Sequence, residues 1–139
     1  MVKDIINLQS KRQIQLFLNQ TEELLERVFE SSKEVPMMIL DGSMKIMKTN
    51  EAFAKLFHLE NMPAAGSRLA DIDHPFWSGN TLRTEMTNIL VTNQPLRNKK
   101  YLVREKDGNS KTILINTRII EGNSDTGKRI FVIVDDVVE

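Results

Sequence analysis

The sequence contains no cysteine. That absence removes disulfide scaffolds, thiolate zinc sites and thiol nucleophiles. Neither sign of charge is in excess, since 19 Lys plus Arg face 19 Asp plus Glu and the formal net charge is +0. A strongly basic nucleic-acid-binding domain is therefore excluded, and no nucleic-acid partner is expected. No apolar run approaches the roughly 18 to 20 residues of a membrane span. The polar start, MVKDIINLQSKRQIQ, does not read as a signal peptide, so a cytoplasmic location is expected. Enzyme patterns are missing too: there is no Gly-rich phosphate loop, no G-x-S-x-G and no H-E-x-x-H. With only two histidines, general-base catalysis would fall to carboxylates, and no pair of them stands out. The chain is not expected to be an enzyme.

What is present is globular. Its 139 residues are 40% hydrophobic and 27% charged, which suits one domain with its own core. Residues 3–32 contain no Gly or Pro. Within them Ile14, Phe17, Leu18, Thr21, Leu24, Leu25 and Val28 recur at three- and four-residue intervals, the stripe of an amphipathic helix. The same spacing fits a heptad seam. Packing on its own domain and pairing with a second copy both satisfy it.

From Pro36 the period changes. Pro36–Leu40 is an apolar strand, Asp41-Gly42-Ser43 a turn, and Met44–Lys48 an alternating second strand. Asn50 is placed to cap a helix carrying Phe53, Leu56 and Phe57. Residues 60–73 are loop-like. A further helix runs to about Asn93 with Leu82, Met86, Ile89 and Leu90 on one face, and either Pro75 or Gly79-Asn80 could start it. Three strands close the chain, at 98–105, 111–121 and 129–137, with Asp107-Gly108 in the first turn. Ile113, Ile115, Thr117 and Ile119 share one face of the second strand. Ile130–Val134 is apolar on both faces, so both faces need a cover. The middle helices supply one cover. The N-terminal helix or a second subunit supplies the other. The order predicts an α+β domain with one antiparallel sheet.

This order resembles a PAS domain over residues 32–138. The resemblance rests on Val35-Pro36-Met-Met-Ile-Leu40-Asp41, on Asn50-Glu51-Ala52-Phe53 with Leu56-Phe57, on Lys106-Asp107-Gly108, and on Phe131–Val138. The closing Asp136-Val137-Val138 departs from the family's D-I-T ending. The resemblance implies a five-stranded antiparallel sheet with helices on one face, preceded by an amphipathic helix at 1–32 for capping or dimerisation, with the sensory domain at 33–139. It implies a non-catalytic sensory module of bacterial signal transduction, of the histidine-kinase (two-component) or chemotaxis-regulator type. Its partners would be a second copy, a small ligand and a signalling output domain. The alternative is a ligand-free protein–protein interaction module.

Family members bind haem, flavin, small metabolites or nothing. The cysteine adduct of flavin photochemistry is excluded here. Haem would need His58 or His74, and His74, between Asp73 and Pro75, reads as a turn or capping residue. Asp71, Asp73 and His74 are too local to be read as a metal site, and no metal is expected. Phe53, Phe57, Met86 and Thr117 are the candidate ligand-pocket residues, with Thr117 as a polar handle among isoleucines. The same four side chains could simply fill the core.

Overall fold

A computed structural model of the protein describes residues 34–105, 107–120 and 127–137. The helix expected over 1–32, with its seam from Ile14 to Val28, lies outside the described residues. The elements run β1 (Met37–Leu40), β2 (Ile46–Thr49), α1 (Glu51–Leu56), a single 3-10 turn (Leu69–Asp71), α2 (Pro75–Ser78), α3 (Asn80–Thr92), β3 (Lys99–Arg104), β4 (Ser110–Ile120) and β5 (Arg129–Val137). The five strands form one sheet in the order β2-β1-β5-β4-β3. Every neighbouring pair is antiparallel. The α+β architecture read from the sequence is the one observed.

Local chemistry explains most boundaries. The turn after β1 is longer than the motif alone suggests. Asp41 Oδ1 accepts from Ser43 N at 2.8 Å and from Lys45 N at 2.9 Å, and Met44 is left-handed at φ 66. Strand pairing therefore resumes at Ile46. Asn50 caps α1 as expected: its Oδ1 accepts from Phe53 N at 3.0 Å. The same oxygen accepts from Met37 N at 3.0 Å, and Nδ2 donates to Val35 O at 2.8 Å. One side chain thus staples the helix start to the opening strand.

The single helix expected to reach Asn93 is in fact two. Both start signals operate: Pro75 opens α2 behind an N-cap at His74, and α3 opens at Asn80. Gly79 joins them, and a Cβ there would stand 3.2 Å from Pro75 O. Asn93, left-handed at φ 59, ends α3.

β5 lies in the middle of the sheet and is buried on both faces. Ile130, Val132 and Val134 join the core beneath the helices, with Phe53, Phe57, Trp77, Leu82 and Met86. Phe131 and Ile133 join a second cluster with Val35, Met37, Ile39 and Ile120 on the opposite face. The two-sided apolar strand thus has two apolar surroundings. Each buried large side chain contributes about 1.5–3 kcal/mol of hydrophobic stabilisation.

Candidate functional site

The helix-side core is built around aromatic rings. Phe53 projects from α1 and Phe57 from its C-cap, with ring centroids 5.0 Å from each other. Trp77 of α2 meets both, at 5.1 Å from Phe53 and 5.2 Å from Phe57. Phe76 packs edge-on against Trp77 at 5.2 Å and against Tyr101 of β3 at 5.5 Å. Such tilted and edge-on pairs are the favoured aromatic geometries. Trp77, Phe53 and Met86 are 0% exposed. The Trp77 indole N–H is buried with no hydrogen-bond partner among the described residues.

Three of the sequence-chosen residues, Phe53, Phe57 and Met86, therefore share this core. Thr117 is buried as well, on the same face of β4 as Ile113 and Ile115. Its hydroxyl oxygen accepts from Leu96 N at 2.8 Å, and its own N–H donates to Leu96 O at 3.0 Å. Thr117 thus ties β4 to the connection that follows α3. Beside it, Asn116 Oδ1 accepts from Asn98 N at 2.9 Å.

A part-buried polar network borders the aromatic core. His74 is 2% exposed. Its Nδ1 accepts from Phe76 N at 3.1 Å, which caps the first turn of α2. An amide can only donate, so Nδ1 carries no proton and Nε2 does. That Nε2–H donates to Glu105 Oε2 at 2.9 Å. Glu105 Oε1 pairs with Lys111 Nζ at 2.8 Å. Lys111 Nζ also donates to the Leu56 carbonyl at the end of α1, and it lies 5.3 Å from the centroid of the Phe57 ring. Burial pushes the Glu105 carboxyl up, but hydrogen bonds from Lys111 and His74, with the Lys111 charge, outweigh it and hold it below its ordinary value. Burial and the adjacent Glu85 carboxylate push the Tyr101 phenol well up.

The turn Asp107-Gly108 makes this network possible. Gly108 takes φ 92, Asp107 Oδ1 accepts from Asn109 N at 2.9 Å, and Glu105 N donates to Asn109 O at 2.7 Å. The reversal brings Glu105 and Lys111 side by side. His74 was legible as a capping residue next to Pro75. Its partnership with Glu105 and Lys111 carried no local signal, and neither did the central place of Trp77.

Both ring nitrogens of His74 are engaged, so it has no lone pair for haem iron or another metal. His58 is exposed and left-handed at φ 54. Neither histidine suits haem ligation from the interior. Asp71, singled out with His74 as a possible ligand, accepts instead from Arg68 N at 2.9 Å. Among the described residues no helix is long and apolar enough to cross a membrane.

Comparison with known proteins places this geometry. Residues 23–89 match a family model described as a PAS domain. A sequence comparison with curated proteins finds no match. Among solved structures, the chain is similar to the PAS domain of BvgS from Bordetella pertussis, with a TM-score of 0.60 at 17% identity over 85% of this chain and 89% of that one. It is similar to the PAS domain of an HTR-like protein from Haloarcula marismortui, with a TM-score of 0.54 at 18% identity over 91% and 99%. It is also similar to VqmA from Vibrio cholerae, with a TM-score of 0.62 at 11% identity over 86% of this chain and 52% of that one.

The last similarity corrects one expectation. VqmA is described as a dimer with a target DNA, so balanced charge does not separate this fold from proteins that act on nucleic acid. The exclusion of a nucleic-acid partner is withdrawn. The physical reason is that net charge averages over the whole surface, whereas phosphate contacts need only a local cluster or an attached segment.

Proposed function

The chain carries a PAS domain, and from that premise we propose that it is a sensory module of signal transduction whose interior, beneath α1 to α3, takes a small ligand. The observation that carries the ligand reading is the Trp77 indole N–H, buried without an acceptor among the described residues. Leaving such a donor unpaired costs about 1–3 kcal/mol. A ligand oxygen accepting from Trp77 Nε1 would remove that cost. Phe53, Phe57 and Met86 would form apolar walls, and the Thr117 hydroxyl, whose oxygen already accepts from Leu96 N, retains a proton to donate. The ligand class is a small, flat, mostly apolar molecule with a carbonyl or carboxylate acceptor. Such a ligand drives a signal only by binding two states of the domain unequally. No catalysis is assigned to the domain.

Dimerisation is proposed for residues 1–32, supported by the heptad-like spacing of Ile14, Phe17, Thr21, Leu24 and Val28 with Leu18 and Leu25 beside it. Sedimentation of the intact chain and of a chain lacking residues 1–30 tests it. A monomeric intact chain at high concentration ends that proposal.

The second reading is a ligand-free interaction module. It is favoured by the full burial of Phe53, Trp77, Met86, Ile113 and Ile115, which fits a filled interior. Thermal unfolding with a set of small aromatic ketones and carboxylates separates the two. A saturable rise in Tm that disappears in Trp77→Phe supports the ligand reading. A flat response across the set supports the interaction module.

A further inference from the structure

Buried His74 and part-buried Glu105 and Lys111, from three separate segments, meet beside the aromatic core, and their hydrogen bonds are consistent with one protonation state of His74. We propose that His74, Glu105 and Lys111 form a proton-controlled latch that sets the position of α2 and, through it, of Trp77. The latch requires no ligand in the core.

The argument is one of donors and acceptors. In the observed state Nδ1 accepts from Phe76 N at 3.1 Å, and Nε2–H donates to Glu105 Oε2 at 2.9 Å. A second proton on the ring can go only to Nδ1. There it meets the Phe76 N–H, donor against donor, and the cap on α2 is lost. One of the two must move. The ring is held on its other side by the Glu105 carboxylate, and that bond becomes charge-assisted when the imidazole is protonated. Glu105 is itself held by Lys111 at 2.8 Å, and Lys111 is tied to the Leu56 carbonyl. The ring is therefore anchored to the β3–β4 hairpin and to the end of α1, and the start of α2 is what shifts.

The consequence reaches the core directly. Trp77 is the third residue of α2 and touches Phe53, Phe57 and Phe76. His74 also packs edge-on against Phe57 at 5.2 Å. Proton uptake at His74 and displacement of Trp77 are thus one event seen at two places. By reciprocity, anything that displaces Trp77 changes the affinity of His74 for a proton. Among the described residues the charged groups near the ring are Glu105 just after β3, Lys111 from β4, and Asp71 and Asp73 from its own segment. These two aspartates line a groove of about 520 Å³ with His74, Pro75 and Ser78. Beyond Phe76 stand the Tyr101 phenol and Glu85.

The sequence supplies a clean readout, because it contains one tryptophan and two histidines. Trp77 emission is measured across about pH 5 to 8, the window in which imidazoles change charge, in a His58→Asn background. The His74 ring carbon and proton shifts are followed by NMR on the same samples. A change in emission with the midpoint of the His74 ring is expected. It disappears in His74→Asn, which keeps a capping acceptor and cannot take up the proton. In Glu105→Gln the midpoint falls, because the anionic anchor is gone. Far-UV circular dichroism confirms that each variant is folded. An emission change that persists in His74→Asn overturns the proposal. So does a His74 ring that titrates while Trp77 emission stays flat, or a ring that keeps its charge state across the window. If His74→Asn does not fold, an unchanged midpoint in Glu105→Gln overturns it.

Discussion

His74 and Glu105 stand 31 positions apart in the chain, yet the imidazole Nε2 meets the carboxylate at 2.9 Å in the interior. The contact joins the cap of a short helix to the end of an edge strand. Lys111 completes it from the next strand.

Glu105 makes stability depend on acid. Its carboxyl is held below its ordinary value in the folded state. The stabilisation is therefore complete above the unfolded-state value and is lost as pH falls through the lower folded-state value. Glu105→Gln is expected to be less stable than the parent by about 2 kcal/mol at neutral pH. The gap should narrow as acid is added. Urea unfolding from pH 3 to 7 measures it, and parallel curves over that range would disprove the assignment.

Asn50 connects three partners with one side chain. Asn50→Ala removes the bonds to Phe53 N, Met37 N and Val35 O together. A loss of about 2–3 kcal/mol is expected. Asn50→Asp keeps the two acceptor bonds and should recover more than half of it. Equal losses in both variants, by chemical denaturation, would contradict this account.

Gly108 tests backbone strain in isolation. A Cβ there meets none of the described residues within 4 Å, but φ is +92. Gly108→Ala should therefore cost about 1 kcal/mol through conformation alone. Because the turn sets Glu105 beside Lys111, amide hydrogen exchange in β3 and β4 should quicken in the same variant.

The sheet face away from the helices is covered unevenly along its width. Phe131 is 1% exposed, whereas Leu102 on edge strand β3 is 72% exposed. Phe131→Ala is expected to cost about 3–5 kcal/mol. Leu102→Ala should change stability by less than about 0.5 kcal/mol. Similar values for the two would mean that the face bearing Phe131 is open in solution.

Much of the fold was legible because its signals are local. Asn50 before Glu51, Pro75 after His74, Asp107-Gly108 and the alternation of Ile113, Ile115 and Thr117 each act through the backbone within a few residues. Where two local signals competed, at Pro75 and Gly79, both were used, and one expected helix became two. The candidate site was half legible. Phe53, Phe57 and Met86 could be placed on helix faces from their spacing. The role of Thr117 could not, since Leu96 is 21 positions away.

Residue order alone thus determined the element types, the α+β class and the two-sided burial of β5, because helix and strand periods and turn chemistry are properties of neighbouring residues. The lack of cysteine excluded one flavin chemistry outright. Only the tertiary structure decided that Trp77 lies at the centre of the aromatic core and that His74, Glu105 and Lys111 share one network. Lys111 reaches the Leu56 carbonyl across 55 positions. Such contacts arise when hydrophobic packing brings distant segments together, and a buried polar group then bonds to whatever partner that packing leaves within reach.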